Sequence, residues 1–145
     1  MKVSIEEISR DLDEEIIIRC HEVNDDILKL LNKLKTEKAV LLGYDEDSIH
    51  RLRAVDVYYF EAVDNKVFIY CKNKVFESKQ KLYELEDMCE GKKFFRASKS
   101  IIINLTKISF VKPSISGRFV AKLDNGENVA VSRQYVPVLK NMLGL

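Results

Sequence analysis

Hydrophobic and polar positions follow one pattern in the first third of the chain and another in the remainder. The β-branched run within Glu15–Cys20 predicts a strand, and apolar side chains recur at helical spacing after Asn24. Asn24 can cap this helix, which is expected to end near Thr36. The apolar run Ala39–Tyr44 predicts a second strand. Residues 1–46 are therefore predicted to form a small strand-helix-strand extension.

From about Ile49 onward, short apolar runs alternate with turn signals, a pattern typical of a mainly β module. One amphipathic helix over Lys79–Glu90 is expected to cover a sheet face and to end at Gly91, which tolerates the left-handed conformation. Asn125 and Gly126 predict a hairpin because this pair accommodates positive φ. The predicted strands are Val55–Ala62, Val67–Cys71, Val75–Glu77, Phe94–Arg96, Ser100–Ile103, Ile108–Lys112, Arg118–Leu123 and Glu127–Val131.

The segment Tyr135–Leu143 is apolar at helical spacing and predicts a short closing helix. Pro137 lacks an N–H donor and fits a helix only in its first turn. The helix is therefore expected to start at about Gln134, which leaves Ser132 and Arg133 on the exposed turn before it. The whole pattern predicts an α+β, mainly β fold with one or two short helices.

The composition is that of a folded protein, since 46% of the residues are apolar, 32% are charged, and the chain has only 5 Gly and 2 Pro. The longest apolar runs, such as Ile101–Ile103, fall far short of the roughly 20 residues of a membrane span. The N-terminus lacks a basic start followed by an apolar stretch, so no secretory signal is predicted. A cytoplasmic protein is expected.

The net charge of +1 conceals an uneven distribution. Residues 1–50 carry 7 basic and 13 acidic side chains, residues 51–91 carry 7 and 8, and residues 92–145 carry 10 and 2. The net charges of these three parts are −6, −1 and +8. A strongly basic last third indicates either a polyanion partner or a solvated basic surface.

Catalytic and metal-binding residues are sparse. His21 and His50 have no repeated spacing to a cysteine or carboxylate, and the acidic run Asp45–Asp47 lacks the glycine and closing glutamate of a calcium loop. The three cysteines form no CxxC pair and are expected to be buried reduced thiols, not metal ligands or a disulfide framework. The sequence predicts no enzyme activity, no metal, no cofactor and no small-molecule substrate.

Two segments of the basic third could approach DNA. In the first, Arg96 and Lys99 flank a predicted strand, and Ser98 and Ser100 bracket Lys99. Small hydroxyl residues and backbone N–H groups can bind phosphates while one long cation reaches a base edge. The second is Ser132, Arg133 and Gln134, at a predicted helix start whose N–H groups favour a phosphate.

Three segments of the chain carry a family resemblance. They are AVDVYYFEAVDNKVFIYC at Ala54–Cys71, FFRASKSIIIN at Phe94–Asn104 and DNGENVAVSRQYVPVLKNML at Asp124–Leu143. In this order and spacing, residues from about Ile49 to Leu145 resemble the LytTR family of bacterial DNA-binding domains. The resemblance implies an elongated domain of packed antiparallel sheets over residues 47–145. It also implies that loops, not a recognition helix, enter the grooves of double-stranded DNA.

The resemblance implies base-reading positions in three loops. The middle loop corresponds to Ser98, Lys99 and Ser100, with Lys99 as the base contact, and the last to Ser132, Arg133 and Gln134, with Arg133 as the guanine-reading residue. The first loop lies near Asp64–Val67 and places Asn65 and Lys66 at the DNA. The family usually has His in place of Ser98 and an aromatic residue in place of Ile101, which points to a different preferred base sequence.

The expected function is a sequence-specific transcriptional regulator that binds as a homodimer on repeated half-sites. Residues 1–46 are too few for a phosphorylated receiver domain, so a stand-alone regulator is expected, with this segment as a dimerisation or regulatory unit. By resemblance, a membrane protein that holds the regulator inactive is a candidate partner. Two alternatives stay open: a protein-interaction module that keeps the fold without binding DNA, and a small enzyme that uses His21 and His50.

Overall fold

The computed structural model of the protein describes residues 1–37 and 40–145, and it contains helices and antiparallel strands. The helices are α1 (Asp25–Glu37), α2 (Leu82–Met88) and α3 (Val136–Met142). The strands are β1 (Leu41–Tyr44), β2 (Ile49–Leu52), β3 (Tyr59–Val63), β4 (Lys66–Tyr70), β5 (Val75–Ser78), β6 (Phe94–Arg96), β7 (Ile101–Asn104), β8 (Ile108–Pro113), β9 (Phe119–Leu123) and β10 (Asn128–Val131). The predicted α+β, mainly β fold is confirmed.

The larger sheet has seven strands in the order β2-β1-β5-β4-β3-β7-β6, and every paired neighbour is antiparallel. Successive side chains of a strand face opposite sides of a sheet. Phe60 of β3 and its partner Ile102 of β7 face the side that α2 covers, where they join Leu82 and Leu85 of the helix in a buried cluster. The prediction that this helix covers one sheet face is confirmed.

The other side of the larger sheet packs against a three-stranded sheet in the order β10-β9-β8. Ile103 of β7 lies in this second buried cluster with Ala121, Val131 and Leu139, which come from β9, β10 and α3. The predicted hairpin at Asn125-Gly126 is confirmed by the register of β9 and β10. Ile103 of β7 and Val131 of β10 are thus buried in the same core, between the two sheets.

The predicted strand at Glu15–Cys20 is wrong. This segment has no regular secondary structure, and Ile16 and Ile17 are 68% and 65% exposed. A β-branched run favours an extended chain, but a strand is stable only when another strand or a core lies beside it. Cys20 is exposed for the same reason, whereas Cys71 is half-buried and Cys89 is buried. The expected burial is therefore wrong for Cys20.

The predicted N-terminal cap of α1 is present, since the Asn24 side chain accepts a 3.0 Å hydrogen bond from the Ile27 amide. The start of the predicted strand Ala39–Tyr44 lies outside the described residues, and the strand is present from Leu41. This strand, β1, pairs with β2 and β5 in the larger sheet. The segment before β2 is therefore a helix and a sheet strand, not a separate strand-helix-strand unit.

Two predicted boundaries shift for local reasons. The helix α2 begins at Leu82 and not at Lys79, because Ser78 is still paired in the sheet, opposite Val67, and its hydroxyl accepts a hydrogen bond from the Gln80 amide at 3.1 Å. Gly91, after the helix, has the expected positive φ of 79°. A 3₁₀ turn at Arg133–Tyr135 precedes α3, which places Pro137 in the first helical turn as predicted. Within the described ranges, no helix is long and apolar enough to span a bilayer.

Candidate nucleic-acid interface

The loop between β6 and β7, residues Ala97–Ser100, is held rigidly at both ends. Ala97 is fully buried and its amide donates to the Ile101 carbonyl at 2.9 Å. The Ser98 hydroxyl accepts from the Ser100 amide at 3.2 Å, which closes a tight turn around Lys99. Lys99 itself is exposed. The buried ends and the serine turn therefore direct one cation away from the core.

The turn before α3 lies directly beside this loop. The Ser132 amide donates to the Ala97 carbonyl at 2.8 Å, and the Ser132 carbonyl accepts from the Tyr135 amide at 2.9 Å. Val136 and Leu139 are buried and anchor the helix that follows. The middle and last predicted loops are thus joined backbone to backbone, although they lie far apart in the sequence.

Together these two loops form one wall of an open groove of ≈ 740 Å³. Four predicted site residues line it, and none of the lining residues is acidic. The lining residues are Lys99, Ser116, Arg118, Ser132, Arg133, Gln134 and Pro137. In the part of the chain that the structure describes, no ion pair engages Lys99, Arg118 or Arg133. The groove therefore presents three uncompensated positive charges.

The loop between β8 and β9 supplies Ser116 and Arg118 to the groove. The predicted strands Ile108–Lys112 and Arg118–Leu123 leave this loop between them, and no function was predicted for it. A signal was available in part, since a Ser-Gly pair such as Ser116-Gly117 marks a turn, and both residues have positive φ, 58° and 74°. Their contact with the groove depends on the packing of the smaller sheet, which no local pattern reveals.

The first predicted loop lies at the same end of the larger sheet. Asp64 and Asn65 form the β3–β4 turn with φ values of 51° and 64°, and Lys66 begins β4. The turn is next to the β6–β7 loop, because the Ala62 amide donates to the Ser100 carbonyl at 2.8 Å. Asn65 and Lys66 are exposed but do not line the groove.

Arg96 is engaged within the protein. Its Nε donates to Glu86 Oε2 at 2.7 Å, and its Nη1 donates to the Lys99 carbonyl at 2.9 Å. The ion pair joins β6 to α2, and the second bond fixes the backbone of the residue that carries the exposed cation. Ser98 and Ser100 likewise hold the shape of this loop, their hydroxyl oxygens 3.4 Å apart.

The two acidic residues of the basic third lie close to tyrosines and are not groove-lining residues. Asp124 is hydrogen-bonded to Tyr58 and raises the pKa of that phenol to about 12. The pKa of Tyr59 is also raised, first by burial and then by its hydrogen bond to Glu127. Both carboxylates lie at the β9–β10 hairpin, at the opposite end of these strands from Arg118 and Ser132.

His50, one of the two histidines of the chain, belongs to a polar cluster at another site. Its Nε2 lies 2.9 Å from Ser48 Oγ and 3.1 Å from Asp45 Oδ2. Lys74 Nζ donates to the same carboxylate oxygen at 2.9 Å. The pKa of Asp45 is lowered, chiefly by the hydrogen bond from Lys74 and then by that from Ser48. His21 lies in the exposed irregular segment, far along the chain from these groups.

A serine, a histidine and an aspartate in contact suggest a catalytic triad, but their connections differ from one. In a triad the serine and the carboxylate bind opposite nitrogens of the ring. Here both Ser48 and Asp45 contact Nε2, so the carboxylate cannot orient the ring through Nδ1. Among the described residues, no group of three or more histidine, cysteine or acidic side chains is placed to hold a metal ion.

Clustered cations on adjoining loops of two packed antiparallel sheets are typical of a polyanion-binding domain. A family model described as the LytTr DNA-binding domain matches residues 47–144. The chain belongs to this family of DNA-binding domains. A LytTr DNA-binding domain of known structure from Bacillus cereus has 29% sequence identity and a TM-score of 0.70, over 74% of this chain and 99% of that one.

Two relatives differ in how much of their length this chain covers. The sensory transduction protein LytT of Enterococcus faecalis is 30% identical over 111 residues, which are 77% of this chain and 45% of that protein. This chain therefore spans less than half of that relative. An uncharacterised HTH-type transcriptional regulator of Staphylococcus aureus is 26% identical over 147 residues, 100% of this chain and 99% of that protein.

The term HTH in the name of the Staphylococcus aureus relative does not describe this fold. A helix-turn-helix motif joins two helices by a turn of a few residues. In the described part of this chain, five strands separate α1 from α2 and five more separate α2 from α3. The candidate interface is accordingly built from strand-connecting loops and from the turn before α3.

Proposed function

We propose that the protein is a sequence-specific transcriptional regulator that binds double-stranded DNA with the loops at one end of its β domain. One observation carries the proposal: Lys99 and Arg133, distant in sequence, line a single groove that no acidic residue lines, and no ion pair engages either of them among the residues that the structure describes. A DNA duplex presents closely spaced phosphates, so unpaired cations on adjoining rigid loops match its charge.

Phosphate contacts position the protein, and base contacts give it specificity. We assign the base-reading role to Arg133, whose planar guanidinium can donate two parallel hydrogen bonds to the O6 and N7 atoms of guanine. It lies on the 3₁₀ turn that α3 and the buried Val136 hold in place. Ser132 and Gln134, on the same turn, are assigned to phosphate and sugar contacts.

Lys99 is assigned to a second base or phosphate contact from the β6–β7 loop. The hydroxyls of Ser98 and Ser100 and the backbone N–H groups of that loop can approach a phosphate beside it. Asn65 and Lys66 then contact the duplex from the neighbouring β3–β4 turn. Arg96 acts by positioning, since it holds Glu86 and the Lys99 carbonyl.

Binding, and not catalysis, is the proposed activity. The contact of Asp45 and Ser48 with the same ring nitrogen of His50 leaves the serine without an oriented base. No cofactor or small-molecule substrate is part of the proposal. The proposed place of action is the bacterial cytoplasm, where the DNA is.

Dimerisation through the N-terminal region is a second part of the proposal. Large apolar side chains in residues 1–37 are exposed, which is typical of an interaction surface. They are Met1, Val3, Ile5, Ile8, Leu12, Ile16, Ile17, Val23, Leu28 and Leu30. The same surface would serve a membrane protein that holds the regulator inactive.

Sedimentation of the full chain without DNA tests this second part. We expect a dimer, and we expect the double variant Ile17→Asp, Leu28→Asp to sediment as a monomer. A monomeric wild-type protein would contradict dimerisation through this surface in the absence of DNA. The surface would then be assigned to the inhibitory membrane protein alone.

Selection of bound duplexes from a random-sequence pool tests the proposed function. The wild-type chain should enrich a motif that contains guanine and occurs as two spaced half-sites, and the Lys99→Ala, Arg133→Ala double variant should enrich none. A wild-type selection that yields no motif would overturn the proposal, provided that the chain melts cooperatively under the same conditions.

A further inference from the structure

The β8–β9 loop has a defined conformation that backbone hydrogen bonds hold in place. The Ser114 amide donates to the Arg118 carbonyl at 2.7 Å, and the Arg118 amide donates to the Ile115 carbonyl at 3.2 Å. Between them, Ser116 and Gly117 are two consecutive residues in the left-handed region. Such a conformation is costly for most side chains and is kept where the surrounding structure requires it.

Gly117 lies directly beneath the side chain of Arg133. A Cβ atom at position 117 would lie 2.9 Å from Cδ and 3.1 Å from Cγ of Arg133, both closer than ordinary van der Waals contact. Any residue other than glycine would therefore push the stem of Arg133 into another rotamer. Because the guanidinium lies beyond Cδ, a small shift of the stem becomes a larger shift of the donor groups.

Arg118 follows Gly117 and lines the same groove as Arg133. It is exposed, and no ion pair engages it within the described ranges of the chain. Two guanidinium groups on adjoining loops repel each other unless an anion lies between or beside them. Arg118 is therefore placed to bind a phosphate next to the base that Arg133 reads.

We propose that the β8–β9 loop is a further DNA-contacting element, in which Gly117 seats Arg133 for base reading and Arg118 binds an adjacent phosphate. This inference rests on the proposed DNA-binding function and adds two residues that are not among the site residues predicted from the sequence. Gly117 is a positioning residue, because it acts only through Arg133. Arg118 contributes affinity that does not depend on base sequence.

A comparison of two glycine substitutions tests the seat. Gly117 and Gly126 both have positive φ, 74° and 93°, and lie in the loops before and after β9. Among the described residues, apart from the two chain neighbours, no atom lies within 4 Å of a Cβ at Gly126. Gly117→Ala and Gly126→Ala thus share the backbone strain, and only the first displaces Arg133. Gly117→Asn adds the same Cβ with less strain, since asparagine tolerates left-handed φ better than alanine.

Binding is measured by fluorescence anisotropy with two duplexes. One is the duplex selected by the wild-type protein, and the other differs from it only at the guanine that Arg133→Ala no longer distinguishes. Gly117→Ala and Gly117→Asn should each lose about tenfold of the preference for that guanine, within the range of one bidentate contact. Gly126→Ala should keep the preference. If all three variants keep the preference for that guanine and melt as cooperatively as the wild type, the proposed positioning of Arg133 by Gly117 is wrong.

Adding Gly117→Ala to Arg133→Ala separates positioning from a general structural effect. If Gly117 acts only through Arg133, the double variant should discriminate no less than Arg133→Ala alone. A further loss of discrimination in the double variant would overturn the assignment of Gly117 to Arg133.

The salt dependence of binding tests Arg118. Arg118→Gln should lower the slope of log affinity against log salt by about 1 on selected and random duplexes alike, as expected for one lost phosphate contact. Lys72→Gln removes a charge from the exposed β4–β5 turn and should leave the slope unchanged. An unchanged slope in Arg118→Gln would overturn its role. Failure of the wild-type chain to bind any duplex would instead overturn the proposed function itself.

Discussion

Two polar clusters lie at opposite ends of the larger sheet, and each combines cations and hydroxyl groups. The strand β4 shows their separation: it starts at Lys66, beside the β6–β7 loop, and ends at Tyr70, before the turn that carries Lys74. At the second end, Lys74, Ser48 and His50 all contact the carboxylate of Asp45. At the first end, Lys99, Arg118 and Arg133 face a groove without a carboxylate.

The difference shows that one acidic residue decides the role of neighbouring cations. Asp45 holds Lys74 and His50 in fixed contacts, so this end of the sheet joins two turns and offers little free charge. The groove keeps its charge because no acidic residue is among those that line it. Residue type alone does not distinguish the two ends, whereas the position of the nearest carboxylate does.

The largest expected effect comes from making the groove resemble the Asp45 cluster. Ser116→Asp adds a carboxylate to the groove that Arg118 and Arg133 also line. Ser116 has a positive φ of 58°, and aspartate tolerates this left-handed conformation. A charge about 4 Å from a phosphate or guanidinium is worth about 1–4 kcal/mol. Affinity for selected and random duplexes should therefore fall by roughly tenfold to a thousandfold in an anisotropy titration.

Ser116→Asn is the matched control, because it has the same shape and the same tolerance of positive φ but no charge. It should bind within a few-fold of the wild type. Equal binding by the aspartate and asparagine variants would mean that the groove does not face the duplex.

The next effect concerns base reading. Arg133→Ala should cost about 1–3 kcal/mol on the selected duplex and relax the preference at one base position. Arg133→Lys keeps the charge but cannot form the bidentate contact, so it should retain the salt dependence and lose the preference. Competition between the selected duplex and single-base variants measures both. Full discrimination by the lysine variant would contradict bidentate guanine reading.

A paired and an unpaired lysine should respond in opposite ways. Lys99→Gln should weaken DNA binding by about tenfold, as expected for a lost hydrogen bond to a charged group, and leave the melting temperature unchanged. Lys74→Gln should lower the melting temperature slightly, since it removes the cation from Asp45, and leave DNA binding unchanged. If Lys99→Gln and Lys74→Gln had the same effect on DNA binding, or the same effect on the melting temperature, the proposed difference between the two ends of the sheet would be wrong.

The smallest effect is a pH dependence of stability at the Asp45 cluster. In the folded chain the pKa of Asp45 lies below its ordinary value of 3.8, chiefly because of the hydrogen bond from Lys74. The charged form of Asp45 therefore stabilises the fold, and this contribution is fully present above pH 3.8. That contribution is lost as the pH falls through the lower folded-state pKa. Asp45→Asn should therefore melt slightly below the wild type at pH 7, with a difference that shrinks below pH 4 in thermal scans. A constant difference would contradict the charge-based account.

The fold was predictable where local pattern and tertiary packing agree. Strand alternation in the β module and the Asn24 cap are local properties, and both are present in the structure. The strand at Glu15–Cys20 was predicted wrongly because strand formation depends on a neighbouring strand, and in the described parts of the chain no strand pairs with this segment. Local propensity could not reveal that absence.

The candidate site was predictable in its residues but not in its connections. Family resemblance placed Lys99 and Arg133 on loops, and their roles at DNA stay predictions. Their shared groove depends on the bond between Ser132 and Ala97, which joins distant parts of the chain. The pairing of Arg96 with Glu86 and the closeness of Gly117 to Arg133 are tertiary contacts of the same kind.

The salt dependence of wild-type binding tests the central claim most directly, because the claim is that unpaired groove cations neutralise DNA phosphates. If about six phosphates are neutralised, affinity for the selected duplex should fall by about a thousandfold between 50 and 200 mM salt. An affinity that stays constant over this range would contradict the account.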